Sequence, residues 1–436
     1  MPPHVRSQQQ MGAGDMWSFE TDEDFERELA WMRDFVANEV IPLEVSDEGP
    51  ELDAELDKLR AKVKERGLWA AHLDVELGGR GFGQLKLGLM HEISGRTRLG
   101  PLVFGNQAPD SGNSEILARH GTDEQKERWM TPLLDGRFHS AYAMTEPGAG
   151  ADPTLLSTSA VQDESGDWII NGDKWFITNA SIADFFIVMV VTDPDAPPHR
   201  RASQLIVPEG TPGLTVVREL GTLEDANPIY GKFDNHAEVT LRDVRVPADA
   251  MLGPRGAGFT IAQERLGPGR IHHCMRWIGQ ASRALDMLCE RSLYRYSHGS
   301  VLAEKQSIQN AIADSWTELH AMRLMTLHAA WKIDTHGVKA ARTEISAIKF
   351  WGAGMLHDVI DRALQAHGSL GYSSDLPLES MYRFARAARI YDGPDEVHRQ
   401  VVARQVLKNY ARPPGDVPTE HVPSRRAALL ASRESR

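Results

Sequence analysis

The sequence has only two cysteines, Cys274 and Cys289, among 436 residues. So few thiols exclude a disulfide framework and a thiolate metal cluster, and they suit a reducing compartment. No uninterrupted apolar run approaches the roughly 20 residues that cross a bilayer, so no membrane span is expected. Basic residues are in deficit, with 48 Lys and Arg against 61 Asp and Glu and a formal charge of −13. Such a chain lacks the overall footprint of a nucleic-acid binder, although a local basic patch can still hold an anionic ligand. The opening MPPHVRSQQQMGAGDMW has neither an apolar signal core nor an Arg-rich amphipathic pattern. Residues 1–18 therefore read as a disordered lead-in, with the cytoplasm as the default location.

What is present is enough hydrophobic content, 41%, to bury a large core in two or three units. The hydrophobic period divides the chain. Over 19–140 it is helical, as in FERELAWMRDFVANEVIPL and LDAELDKLRAKVKERGLWAAHL, where apolar residues recur every three or four positions. Over 141–254 it changes to short strand-like runs such as FFIVMVVT, SQLIVPEG and AEVTLRDVRVP, separated by Gly, Pro, Asn and Asp. Helical periodicity returns over 255–411 in long segments, which predicts a helical bundle. Residues 412–436, Pro-rich and then charged with a weak helical patch, read as a mobile or partner-docking tail.

Four stretches hold candidate chemistry. In AYAMTEPGAGADP, Gly148 and Gly150 let backbone approach a ligand, but no strand–Gly–helix context supports a dinucleotide fingerprint. In NGDKWFITNAS, NGD predicts a hairpin turn, alternation puts Trp175 and Phe176 on opposite strand faces, and Thr178 shares the face of Phe176. In QAHGSLGY a glycine-bearing turn ends a helix. In RIYDGPDEVHRQ, Asp392 precedes Gly-Pro and a helical run, and it reads either as a helix cap or as a base. His272 and His273 are expected to pack or face solvent, and no metal site is expected because no third ligand accompanies them.

Together and in this order, these motifs resemble those of the acyl-CoA dehydrogenase family, with the likeness running from about Phe25 to Leu407. The resemblance implies an α+β chain with an N-terminal helical domain, a middle β-barrel or sandwich domain and a C-terminal four-helix bundle. It implies FAD as cofactor and α,β-dehydrogenation of an acyl-CoA thioester to the 2-enoyl-CoA. Asp392 falls where the family carries its catalytic Glu. Tyr142, Met144, Thr145, Ala151, Phe176 and Thr178 match flavin-contacting positions, and Ala151, Arg270 and Gly393 match substrate-contacting ones. Arg295, Gln306 and the turn with Gln365, Gly368 and Ser369 match positions that hold the adenine end from a neighbouring subunit, which implies a homodimer or homotetramer, and Pro394 and Glu396 stand at cofactor positions beyond the base where the family has Thr and Gln. Electron-transfer flavoprotein, or another acceptor, would reoxidise the flavin.

Departures are visible. Asp392 is one methylene shorter than Glu, Ala151 replaces a Ser, Gly267 stands where familiar members have an acid, and His298 replaces a Phe. A nitroalkane-type flavin oxidase and a catalytically silent acyl-CoA or flavin scaffold are the alternatives. Burial in an apolar, flavin-roofed cleft is expected to raise the Asp392 pKa.

Overall fold

The computed structural model describes residues 17–47, 49–223, 235–412 and 416–434. Most of the expected lead-in, residues 1–16, lies outside them. The N-terminal part is helical: α1 (Glu23–Phe35), α2 (Pro50–Glu65), α3 (Gln84–Ser94), α4 (Leu99–Val103), α5 (Asp110–His120) and two short pieces, α6 (Asp123–Gln125) and α7 (Thr131–Asp135). Local sequence accounts for their ends. The Asp22 side chain accepts from the Phe25 N–H at 2.9 Å to start α1, and Thr122 and Gln125 form a reciprocal capping box at α6. The predicted period is realised in α1, where Phe25, Leu29, Met32 and Phe35 are all buried.

A seven-stranded sheet follows: β1 (Ser140–Ala143), β2 (Ser159–Gln162), β3 (Trp168–Thr178), β4 (Phe185–Val191), β5 (Ala202–Pro208), β6 (Leu214–Glu219) and β7 (His236–Val246). The apolar run of β4 is buried almost throughout because it lies centrally, with β5 along one edge and β1 and β2 along the other. β1 and β2 share that edge end to end, Ala143 opposite Val188 and Ser159 opposite Val191. The Gly-rich segment between them is therefore expelled as a loop.

One buried ion pair anchors that loop. Lys174 on β3 is fully buried and donates to Glu146 Oε1 at 2.9 Å and to the Met144 carbonyl at 3.1 Å. Glu146 also accepts from the Ser157 N–H and hydroxyl, both at 2.7 Å, and from the Thr158 N–H at 3.0 Å. Burial alone pushes the Glu146 carboxyl up, but Lys174 and these donors outweigh it and hold the group at about 2.

The last part is helical again: α8 (Gly258–Tyr294), a two-residue hairpin of β8 (Tyr296–Ser297) and β9 (Ser300–Val301), α9 (Gln306–His336), α10 (Arg342–His367), α11 (Leu378–Ala387) and α12 (Asp395–Leu407). α10 packs against α8, α9, α11 and α12. In the expected tail, α13 (Val422–Glu434) is a helix with no buried residue. The two helical parts share one hydrophobic core, with α1 to α4 joined to α8 through Ile271, Met275 and Ile278. α3 and α8 touch backbone to backbone, since a Cβ on Gly279 would lie 2.1 Å from the Glu92 carbonyl oxygen. The sheet keeps its own core, and a third cluster ties α5 and α7 to β4 and the start of α8. No helix among the described residues is long and apolar enough to cross a membrane.

Two local expectations are corrected. Asn171–Asp173 is no hairpin turn; it lies inside the continuous strand β3, where the register with β7 shifts between Ile170 and Gly172. A second shift, between Lys174 and Ile177, puts Phe176 at φ +55° and brings its ring beside that of Trp175, centroids 5.2 Å apart. Strict alternation fails because a bulge adds a residue to one strand.

Substituting Lys174 with Met strands Glu146 in the interior and is expected to cost about 3–5 kcal/mol of stability, as breaking a buried pair does. Glu146→Gln with Lys174→Met should recover much of that loss in urea denaturation followed by tryptophan fluorescence. The Glu146 contribution is present above its ordinary value of 4.5 and should fade as pH falls from there towards 2.

Candidate active site

A cleft of about 1480 Å³ opens where the sheet, the N-terminal helices and the C-terminal bundle meet. That exceeds the roughly 300–1,000 Å³ of an ordinary small-molecule pocket and leaves room for two ligands side by side. Tyr142, Met144, Thr145, Ala151, Phe176 and Thr178 line one side, and Arg270, Asp392, Gly393 and Pro394 line it from the bundle.

The sheet side is shaped for a flat group with polar edges. The bulge in β3 leaves Phe176 48% exposed into the cleft, unusual for so large an apolar ring. Trp175 Nε1 is buried with no acceptor among the described residues, and such orphaned donors mark missing partners. Thr178 Oγ1 lies 3.0 Å from His236 Nδ1, and both residues line the cleft. Tyr142 is held from behind, its hydroxyl accepting from Gln204 Nε2 at 2.9 Å while the Arg265 guanidinium lies 4.3 Å from its ring centre. These residues fit a planar heteroaromatic cofactor such as a flavin.

On the bundle side, α8 presents Arg270, His273 and Trp277 at helical spacing on one face. The segment after α11 crosses that face with Asp392 at φ +53°, a conformation few non-glycine residues adopt. The Asp392 carbonyl accepts from Arg270 Nε at 3.2 Å, Arg270 Nη2 at 3.1 Å and His398 Nε2 at 3.1 Å. Its carboxylate Oδ2 lies 3.0 Å from His273 Nε2. Lys349 of α10, fully buried, donates to the Ala388 carbonyl at 2.7 Å and sits over the rings of Trp277 and Tyr391.

The helix-cap reading of Asp392 does not hold, because α12 starts at Asp395 behind Pro394 without any side-chain cap. The expected upward pKa shift is also reversed. Burial does push the Asp392 carboxyl up, but the hydrogen bond from His273, with Arg270 and Lys349 nearby, drives it well below the usual carboxylate range. His273 departs from its expected place. It neither packs in the core nor faces solvent; it faces the Asp392 carboxylate in the cleft. The available signal was its place three residues after Arg270 on the same helix face. His272 does pack, stacking on His91 with centroids 4.3 Å apart. No group of three or more metal-ligating side chains occurs among the described residues.

Arg295, Gln306, Gln365, Gly368, Ser369 and Glu396 do not line the cleft. Because α9 runs antiparallel to α8 and α10, the first five gather at one end of the bundle; Arg295 lies roughly 30 Å along α8 from His273. Arg295, Gln306, Gln365, Gly368 and Ser369 are all exposed. The hairpin there turns through His298 and Gly299, both at positive φ.

Sequence profiles of three consecutive domains match this chain: "Acyl-CoA dehydrogenase, N-terminal domain" over residues 22–137, "Acyl-CoA dehydrogenase, middle domain" over 141–229 and "Acyl-CoA dehydrogenase, C-terminal domain" over 256–407. The chain is 42% identical over 357 residues to the Mycobacterium tuberculosis protein named as acyl-CoA dehydrogenase FadE2, covering 81% of this chain and 85% of that one. Acyl-CoA dehydrogenase family member 10 of Mus musculus is 41% identical over 394 residues, 87% of this chain but 36% of its own length. The chain thus spans well under half of that larger relative. A Mycobacterium abscessus structure described as an acyl-CoA dehydrogenase superposes with a TM-score of 0.84 at 41% identity, covering 90% of this chain and all of that one. Butyryl-CoA dehydrogenase from Megasphaera elsdenii gives 0.77 at 28%, again over 90% and 100%.

Gly393, at φ +98°, would place an added Cβ 2.8 Å from His398 Nε2. Gly393→Ala is therefore expected to lower stability by about 1–3 kcal/mol through backbone strain, and to loosen the His398 contact with the Asp392 carbonyl. A thermal midpoint equal to the parent's would show that the turn tolerates a side chain.

Proposed function

This chain belongs to the acyl-CoA dehydrogenase family of FAD-dependent oxidoreductases, and from that premise we propose that it dehydrogenates an acyl-CoA thioester at Cα–Cβ with Asp392 as the catalytic base. The observation that carries this reading is the convergence of Asp392, from the end of the bundle, with Tyr142, Thr145, Phe176 and Thr178 of the sheet on one cleft. FAD, when bound, supplies the acceptor for the hydride that leaves the β-carbon.

The chain's own residues do the rest. Asp392, ionised before substrate arrives, takes the α-proton on the oxygen that His273 does not occupy. The α-proton of a thioester is weakly acidic, so the charge developing on its carbonyl needs fixed donors; we assign the Gly393 N–H to that task. Breaking the α C–H bond leaves its electron pair to form the double bond as the β-hydride departs. We assign Phe176, Thr178, Tyr142, Met144, Thr145 and the Ala151 backbone to holding the flavin. Arg342 and Lys339 line the cleft and give an acidic protein a local positive patch for the phosphates of CoA.

Arg270 donates to the Asp392 carbonyl, so we give it a second task, fixing the base's backbone beside the substrate. Arg295, Gln306, Gln365, Gly368 and Ser369 lie away from the cleft at one end of the bundle. We propose that the adenine end of FAD is completed by this cluster from a neighbouring copy in a homodimer or homotetramer. Electron-transfer flavoprotein is the proposed acceptor.

The test is an anaerobic visible spectrum of the FAD-loaded protein titrated with straight, branched and hydroxylated acyl-CoAs. Bleaching of the flavin band is expected with at least one thioester. Asp392→Asn should bind flavin normally yet bleach about a hundredfold to ten-thousandfold more slowly, the usual weight of a positioned base. Asp392→Asn bleaching at the parent's rate would remove Asp392 from the mechanism, and fast oxygen uptake without an acceptor would point to an oxidase.

A further inference from the structure

His273 has a part to play that its position beside Asp392 alone does not reveal, because a third residue fixes its protonation. Arg276 Nη2 lies 3.1 Å from His273 Nδ1, and Arg276 Nη1 donates to the Asn106 carbonyl at 3.1 Å. A guanidinium has only donors. His273 Nδ1 must therefore accept, its proton belongs on Nε2, and the Nε2–H points at Asp392 Oδ2, 3.0 Å away. The network assigns one tautomer and one charge, a neutral imidazole between a cation and a carboxylate.

We propose that His273, locked by Arg276, is a positioning residue for proton abstraction: it occupies Asp392 Oδ2 as a permanent donor and leaves Oδ1 as the single oxygen presented to the substrate. This deepens the Asp392 reading and rests on it. Oδ1 takes no protein donor among the described residues, whereas Oδ2 has His273. A carboxylate on a short side chain can rotate about its last bond. Fixing one oxygen on a rigid helix fixes the direction of the other.

The device is a static donor and not a proton relay. A relay would need His273 to take a second proton on Nδ1 or to pass one onward, and Arg276 occupies that nitrogen. Burial and Arg276 both oppose protonation of His273, against the pull of Asp392. The surroundings agree: His91 on α3 and His272 on α8 are buried and pushed well below the ordinary imidazole range, so neither brings a charge to His273. Arg270 on α8 and Lys349 on α10 face Asp392, with Arg342 further off; from α12, His398 is held neutral down to about 4, and Asp395 is engaged by Arg389 at 2.8 Å. Among the described residues, the only anion directly beside His273 is the base itself.

Two measurements test the inference. In the parent protein labelled with 15N in its histidine rings, His273 should show a protonated Nε2 and an unprotonated Nδ1 throughout pH 5–8; a charged ring or the other tautomer in that window overturns the proposal. In kinetics, Asp392 must be ionised to act, so its depressed pKa keeps the acid limb of kcat/KM low. His273→Leu removes the donor and should move that limb up by about one pH unit or more. It should also lower kcat about tenfold to a hundredfold with KM little changed, the effect of a misdirected base. His273→Gln retains an N–H donor and should restore most of both. A His273→Leu protein that binds FAD and keeps the parent's kcat and acid limb sinks the positioning role. The two readings separate cleanly: failure of the base itself would appear as an active Asp392→Asn protein, whereas failure of this inference leaves Asp392→Asn inactive and His273→Leu unimpaired.

Discussion

The cleft floor depends on a backbone carbonyl. Asp392 sits at φ +53°, where a non-glycine residue pays in strain, and its carbonyl is turned into the protein to accept from Arg270 and His398. Those bonds offset the strain and tie α8 to the start of α12. With the carbonyl turned inward, the side chain meets His273 at the cleft floor. Gly393 follows at φ +98° and lies so close to His398 that a side chain would collide with it. The Asp-Gly pair is thus a turn first, and the turn is what presents a carboxylate to the cleft.

A second tether, on the other side, sets the opposite wall. Because β1 and β2 share one edge of β4, the chain between them has no strand to join and must be held by side chains. The Lys174 and Glu146 pair does so with five hydrogen bonds from four donor groups converging on two carboxylate oxygens and a carbonyl. Desolvating two charges is costly unless every lone pair is used, and here the loop's own N–H groups use them. The same strand carries the bulge that exposes Phe176, so loop anchor and cofactor face are neighbours on β3. The third element, the exposed cluster near Arg295 and Ser369, stands too far along the bundle to reach this wall in the same chain.

How much of this was legible depended on the range of the interaction that decides each feature. The helical, β and helical parts follow from hydrophobic period, which is local, and β4 reads directly as the buried run FFIVMVV. Asn171–Gly172–Asp173 misled because the same residues suit a turn and a bulge, and only pairing with β7 decides between them. Trp175 and Phe176 defied alternation for the same reason. That Asp392 and the residues from Tyr142 to Thr178 would share one cleft was legible through the order of several weak motifs. The ionisation of Asp392 was not, since burial was foreseeable but His273, Arg270 and Lys349 reach it from two helices far earlier in the chain. A histidine on an apolar helix is ordinary until its partner is known.

Those charges raise a final question, because a carboxylate stabilised so well as an anion is a poor base. The answer lies in what changes when a thioester enters. Apolar acyl chain and cofactor would displace water from the cleft, and the burial that already opposes the anion would grow. Arg270 acts on the Asp392 backbone, and Lys349 is engaged by the Ala388 carbonyl, so neither needs to move. Among the described residues the one direct side-chain donor to its carboxylate is a neutral imidazole, weaker than a cation in its place would be. A protonated histidine there would hold the anion far more tightly. By keeping His273 neutral, Arg276 leaves Asp392 ionised at rest and still able to accept a proton once substrate has dried the cleft. The cation that fixes the imidazole, Arg276, is one residue removed from the proposed base, so the group hydrogen-bonded to Asp392 orients it without itself carrying a charge.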